Sequence, residues 1–134
     1  MQLHVEKNPE QLSNVLAEWI CNYINEVLKN QDRFTWALSG GNSPKQLYAL
    51  LAHSPYLEKI PWNKLHIFFG DERDVPFDDT RNNGKMAYET LLKQVPVPTS
   101  QIHYMRTDLK VEESAAEYEK TLHSYFDQTE KSFD

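Results

Sequence analysis

The sequence predicts an α/β fold, a parallel sheet with flanking helices, on three observations. Two short β-prone segments, "RFTWALS" and "KLHIFFG", are each followed by a stretch with helical spacing. "LHIFF" is apolar almost without a break, as strands covered on both faces of a parallel sheet are. The two unusual loops of the chain, "SGGNSPKQ" and "GDERDVPFDDTRNN", both leave the carboxyl end of a strand, where open sheets of this kind bind their ligands. Right-handed crossovers are the expected connections.

The elements follow in order. "LHV" is a short apolar patch. In "NPEQLSNVLAEWICNYINEVLKNQ" the residues Leu12, Val15, Leu16, Trp19, Ile20, Tyr23, Ile24, Val27 and Leu28 recur at helical spacing, with Asn8 as N-cap and Pro9 at the first helical position. "RFTWALS" is too short for a helix and rich in aromatics, so it reads as a strand. "SPKQLYALLAHS" reads as a helix with Leu47, Leu50 and Leu51 on one face, and Ser43, Pro44 and Gln46 match an N-cap, an N1 proline and a capping-box partner. After the strand "KLHIFFG" comes a helix in "RNNGKMAYETLLKQ", with Asp79 or Thr80 as its cap and Asn82 and Asn83 in its first turn. "VPVPTS" is a loop and "QIHYM" a third strand. "KVEESAAEYEKTLHSYFDQ" is a last amphipathic helix with Ala115, Tyr118, Leu122, Tyr125 and Phe126 on its apolar side.

At 134 residues the chain fits one domain, residues 1–134, and no repeat or linker divides it. Its 40% hydrophobic and 25% charged residues are those of a globular chain, not of a collagen-like, disordered or membrane one. The net charge of −6 disfavours nucleic acid and anionic membranes as partners, but not a small anion held at short range. A single cysteine, Cys21, and an N-terminus without a basic region followed by an apolar run make the cytoplasm the expected location.

A helix N-terminus presents unsatisfied N–H groups and partial positive charge, and Gly40 and Gly41 let backbone approach a ligand where a Cβ would obstruct it. A phosphate suits such a turn, although two glycines also suit a tight turn with no ligand. The pattern is neither "GxxxxGK[ST]" nor "GxGxxG", which points away from ATP and NAD. Asp71, Glu72 and Arg73 follow the second strand directly. A carboxylate at a buried strand end is suited to acid or base work, and an arginine to a phosphate or carboxylate; the triplet also reads as a solvated loop or an ion pair. Asp74, Asp78 and Asp79 have neither calcium-loop spacing nor His or Cys companions, so no metal is expected. His66 reads as a satisfied buried imidazole or an exposed edge position rather than a catalyst, and no nucleophilic serine motif is present.

Taken together, the two loops resemble the 6-phosphogluconolactonase family of the glucosamine-6-phosphate isomerase/6-phosphogluconolactonase superfamily. "ALSGGNSPKQLYALL" is similar to that family's Ser-Gly-Gly-Ser-Thr-Pro turn and helix, and "FFGDERDVPFDDTRNNGKMAYETLL" to its Asp-Glu-Arg, Val-Pro and Ser-Asn segment. A related deaminase group has an Asp-Glu-Tyr type sequence where this chain has Asp71, Glu72 and Arg73, so Arg73 with Val75 and Pro76 favours the lactonase. The resemblance implies a Rossmann-like sheet of the NagB/RpiA-like kind, no cofactor or metal, and cytoplasmic hydrolysis of 6-phospho-D-glucono-1,5-lactone in the pentose phosphate pathway. By position it implies that Gly40, Gly41, Asn42 and Ser43 line a phosphosugar site. It likewise implies that Arg73 contacts the substrate anion, that Asp71 serves substrate hydroxyls or the acid–base network, and that Asn83 braces the site. The chain departs from the family at Asn42, Ser43 and Asn82, keeping polar character at each.

The family's catalytic histidine lies in a Gly-x-Asp-Gly-His segment that no stretch of these residues matches. The expectation is therefore the N-terminal part of a longer lactonase, or a short chain that associates with itself to cover an incomplete sheet. Two other readings stand beside it: an amino-sugar phosphate isomerase or deaminase in which Asp71 abstracts a carbon-bound proton, and a non-catalytic sugar-phosphate-binding module.

Overall fold

Helix α1, Pro9–Val27, begins on the expected signals: Asn8 is extended, its side chain accepts from the Gln11 N–H at 2.9 Å, and Pro9 opens the first turn. The computed structural model describes residues 3, 5–126 and 132–134, so His4 of the "LHV" patch and the last helix's expected end, at Asp127 and Gln128, lie outside the described residues. The nine apolar positions at helical spacing do not all turn inward. Ile24 is buried with Ala17 and Cys21, and Ile20, Val27 and Leu28 pack beside them, while Leu12, Val15, Leu16, Trp19 and Tyr23 stay exposed. Nine positions on one helix span more arc than the stripe a core can cover. Burial pushes the Cys21 thiol up to about 11, which leaves it a packing residue.

Strands β1, Phe34–Leu38, and β2, Leu65–Phe69, pair in parallel with Phe34 opposite Leu65 and Leu38 opposite Phe69. Helix α2, Asn42–Leu51, lies between them in the chain. Side chains alternate across the pleat. Phe34, Leu38, Leu65, Ile67 and Phe69 enter one core with Cys21 and Ile24 of α1 and Leu47 and Leu51 of α2. Phe68 faces the other way, onto Tyr125 and Phe126.

The expected third strand is reduced to a single bridge, Ile67 to Ile102, with the His103 N–H donating to the Ile67 carbonyl at 2.9 Å. Thr99–Gln101 forms a one-turn helix instead, and the Gln101 side-chain amide takes the Leu65 carbonyl at 2.7 Å, where a ladder bond would otherwise go. Helix α3 covers Asn83–Ala87 and widens into a π turn over Tyr88–Leu92. Helix α4, Val111–Tyr125, buries Tyr118 and half-buries Leu122, but Ala115, placed on its apolar side by the sequence pattern, is exposed. No helix among the described residues is long and apolar enough to cross a membrane.

Two tyrosine hydroxyls fasten the strand ends from which the loops depart. The Tyr48 hydroxyl accepts from the Ser39 N–H and donates to the Ser39 carbonyl, both at 2.9 Å. The Tyr118 hydroxyl does the same for Phe69, at 2.8 and 3.1 Å. Each phenol satisfies both backbone groups of one residue, as a neighbouring strand would. Burial pushes the Tyr48 phenol up to about 12, with the bond from Ser39 working against the shift. Folding therefore favours the protonated phenol: this contribution is whole below the unfolded value of about 10 and is lost as pH rises through about 12. Tyr48→Phe is expected to cost about 1 kcal/mol at pH 7 and to flatten the fall in stability above pH ~10. Urea unfolding between pH 7 and 12 reads both. An alkaline slope unchanged in the variant would show that Tyr48 is not its source.

Candidate functional site

The first loop turns at Gly41, whose φ of 104° lies in the region that L side chains rarely adopt. Helix α2 starts directly after it, so Gly41 itself is the N-cap and no side chain caps this end. Ser43, expected as the cap, lies instead inside the first turn, and Pro44 is the third residue of the helix rather than the first. The positive φ of Gly41 turns the chain early enough for Asn42 to be helical already. Asn42 and Ser43 are exposed, and the α2 N-terminus carries their two N–H groups at the carboxyl end of β1.

Gly40 approaches the second loop. A Cβ at Gly40 would stand 1.9 Å from Asn83 Oδ1 and 2.4 Å from Asn83 Cγ, so glycine is required for the Asn83 side chain to occupy its place. Asn83 is buried at the start of α3, and its Nδ2 donates to the Asp71 carbonyl at 3.1 Å and to Asp71 Oδ1 at 3.3 Å. Asp71 Oδ2 lies 3.8 Å from Arg73 Nε, with both side chains about two-thirds exposed at 63% and 62%. Gly40, Asn83, Asp71 and Arg73 thus form one continuous line of contacts outside the ends of β1 and β2, with Gly41, Asn42 and Ser43 adjoining it through the chain. One element of the sequence reading changes: Asp71 is not a buried carboxylate but an exposed one, free to meet a ligand from solvent.

Glu72, assigned no separate role from the sequence, is the residue that organises the second loop. Its Oε1 accepts from the N–H groups of Arg73 and Asn83, both at 2.7 Å, and its Oε2 from the Gly84 N–H at 2.7 Å. Asn82, not Asp79 or Thr80, is the N-cap of α3: its Oδ1 accepts from the Lys85 N–H at 2.8 Å, and its buried Nδ2 has no hydrogen-bond partner among the described residues. The Asp79 carboxylate turns to Arg81, accepting from its backbone N–H at 2.8 Å and from its guanidinium at 3.0 and 2.8 Å; these bonds hold it down at about 2. No sequence signal separates Glu72 from its charged neighbours, because its partners are backbone N–H groups eleven and twelve residues further on.

A cleft of about 700 Å³ opens between this loop and α4, bounded by Glu72, Arg73 and Asp74 on one side and by Met105, Tyr118 and Leu122 on the other. The glycine turn does not line it. His66 and His103 lie elsewhere: Nδ1 of the first and Nε2 of the second each sit 2.9 Å from the Tyr125 hydroxyl, and burial lowers both imidazoles below their usual range. Among the described residues, no group of three or more His, Cys, Asp or Glu side chains is placed to hold a metal ion.

Comparison with known proteins sets this geometry in context. Residues 7–134 match the model of the family described as glucosamine-6-phosphate isomerases/6-phosphogluconolactonase. A probable chloroplastic 6-phosphogluconolactonase of Oryza sativa is 42% identical over 113 residues, covering 84% of this chain and 34% of the relative. The 6-phosphogluconolactonase of a Nostoc species is 38% identical over 136 residues, covering 99% of this chain and 55% of the relative. Among solved structures, the 6-phosphogluconolactonase of Thermotoga maritima superposes with a TM-score of 0.79 at 31% identity, covering 87% of this chain and 51% of that one. The chain therefore spans between about a third and about half the length of these relatives.

Proposed function

The chain belongs to the glucosamine-6-phosphate isomerase/6-phosphogluconolactonase family, and we propose that it supplies the phosphosugar-binding part of a lactonase that hydrolyses 6-phospho-D-glucono-1,5-lactone to 6-phospho-D-gluconate. The observation that carries this reading is the joining of the two loops through Asn83, which brings the glycine turn and the Asp71–Arg73 pair to one place. The Asp71-Glu72-Arg73 segment, which resembles the lactonase pattern more than the Asp-Glu-Tyr type of the deaminase group, favours the lactone over the amino sugar.

Lactone hydrolysis needs an anion site, a grip on the ring hydroxyls, a base for the attacking water and donors for the developing oxyanion. In this reading the N–H groups of Asn42 and Ser43 at the α2 N-terminus and the Arg73 guanidinium hold the phosphate. Asp71, its backbone fastened by Asn83, accepts from substrate hydroxyls. The base is a histidine supplied from outside these 134 residues, so this chain's own part is to bind and orient. We place the protein in the cytosol, a reducing compartment suited to the buried free thiol of Cys21.

The test is a titration with 6-phosphogluconate together with a lactone-hydrolysis assay corrected for spontaneous ring opening. Binding without near-normal turnover is the expected result. Near-normal turnover by these residues would sink the claim that the base lies elsewhere, and ammonia release from glucosamine 6-phosphate would move the reading to the deaminases. Arg73→Ala is expected to weaken 6-phosphogluconate binding about 10- to 100-fold, the usual loss for a hydrogen bond to a charged group, while barely changing the affinity for unphosphorylated gluconate. Its exposed pairing with Asp71 at 3.8 Å contributes little stability, so the fold should survive the change. Equal losses for the two ligands would remove Arg73 from the phosphate site.

A further inference from the structure

The first turn of α3 has three backbone N–H groups without partners inside the helix, those of Asn83, Gly84 and Lys85, and the accounting of their acceptors is complete. Asn82 Oδ1 takes Lys85, while the Glu72 carboxylate, reaching across from the β2 loop, takes Asn83 and Gly84. Glu72 also takes the N–H of Arg73, so each of its oxygens is committed to backbone. A carboxylate here is favoured twice, by three charge-assisted hydrogen bonds and by the positive end of the helix. Gly84 makes room for it: a Cβ there would come within 3.3 Å of Glu72 Oε2 and 2.9 Å of Tyr104 Cδ1.

We infer that Glu72 is the positioning residue of this site, setting Asp71 and Gly40 in register through Asn83, and the inference rests on the lactonase reading for its ligand. Glu72 fixes the Asn83 backbone from one side and the Arg73 backbone from the other. The Asn83 side chain then carries the constraint in two directions, by its bonds to Asp71 and by its contact with Gly40. Glu72 itself touches no substrate in this arrangement, because its oxygens are spent on the loop. A neutral amide cannot replace it. In Glu72→Gln one of the two terminal atoms becomes an N–H donor facing backbone N–H groups, so at least one bond is lost and a donor meets a donor. In Glu72→Asp the charge stays, but the side chain is one methylene too short to serve Asn83 and Gly84 together.

The experiment has two arms, both on the full 134-residue chain. In the first, hydrogen exchange of the Asn83 side-chain amide is followed by NMR in the wild type, Glu72→Gln and Glu72→Asp. Exchange is expected to speed up at least tenfold in both variants, while the amides of β1 and β2 keep their protection. Unchanged Asn83 exchange in a folded variant overturns the inference, and so does failure of both variants to fold, which would make Glu72 a stability residue alone. In the second, 6-phosphogluconate affinity is measured for Glu72→Gln, Asn83→Ala and the double variant. Each single change is expected to weaken binding about tenfold and the double change no further, since Glu72 acts through Asn83. Losses that multiply to about a hundredfold overturn it. A wild-type chain that binds no 6-phosphogluconate defeats the lactonase reading, and the exchange arm still decides the role of Glu72.

Discussion

Gly40→Ala is expected to destabilise the fold by about 2–4 kcal/mol and to weaken binding of 6-phosphogluconate about tenfold, as loss of the Asn83 side chain does. The added methyl would sit 1.9 Å from Asn83 Oδ1, and the Asn83 side chain, only 6% exposed, has no solvent to retreat into. Moving it breaks both of its bonds to Asp71 and leaves a buried amide unpaired, a loss of about 1–3 kcal/mol beyond the overpacking itself. The lower entropy of the unfolded alanine chain returns only about 0.4–1 kcal/mol. For a domain of this size the melting temperature should fall by on the order of 10 °C. Gly41→Ala is the control. Its Cβ would meet nothing closer than Pro44 Cδ at 4.0 Å, so its cost is backbone strain alone, about 1–3 kcal/mol at a φ of 104°. The two are told apart in the Asn83→Ala background: removing that side chain frees the space, so Gly40→Ala becomes nearly silent there while Gly41→Ala keeps its full cost. A Gly40→Ala penalty equally large without the Asn83 side chain would show that the close approach is not what requires glycine.

The residues of that pair differ in how far they were legible. Local rules were enough for α1's start at Asn8 and Pro9, for both strands, and for the placement of the glycine turn and Asp71 at one sheet end, because each depends on neighbours within a turn or a strand. Capping is less legible. Ser43 and Asp79 have cap chemistry, yet Gly41 and Asn82 hold those positions, since a positive φ at one and a bond to Lys85 at the other decide the register. The contacts that shape the site were not legible at all. Glu72 reaches backbone N–H groups of α3, and the Tyr118 hydroxyl closes the end of β2 from a position 49 residues away. Backbone partners leave no trace in the residue types, and a tyrosine that replaces a neighbouring strand looks in the sequence like any apolar helix residue. The third strand failed for a related reason: a glutamine side chain competes with the backbone for the Leu65 carbonyl.

Phe68→Ala is expected to have the largest effect on stability, about 3–5 kcal/mol, a large part of the 5–15 kcal/mol typical of a whole domain. Phe68 is fully buried, but on the face of β2 opposite the main core, where it is the centre of an aromatic cluster. His103 stacks on it at 4.7 Å between ring centroids, Tyr125 meets it edge-on at 5.1 Å, and Phe126 and Phe133 approach at 6.0 and 5.1 Å. Through Tyr125 the cluster holds the end of α4. The Tyr125 hydroxyl lies between His66 and His103, Arg33 donates to its carbonyl at 2.7 Å, and the Arg33 guanidinium sits 5.1 Å over its ring. Truncation at Phe68 leaves these rings around a void that a two-stranded sheet and one helix cannot collapse to fill. Two consequences separate this from an ordinary core deletion such as Leu51→Ala, which should cost about 2–5 kcal/mol on the other face. In Phe68→Ala the backbone amides of α4 should exchange faster than those of α1 and α2, and the Tyr118 bonds that close β2 at Phe69 should loosen with them. In Leu51→Ala, α4 should lose no more protection than the rest of the chain. Because Tyr118 also borders the cleft beside Arg73, the same variant should weaken 6-phosphogluconate binding without touching any residue that meets the ligand. Uniform loss of protection from α1 through α4 in Phe68→Ala would mean that the two faces of the sheet unfold as one unit, and that α4 is not held through Phe68.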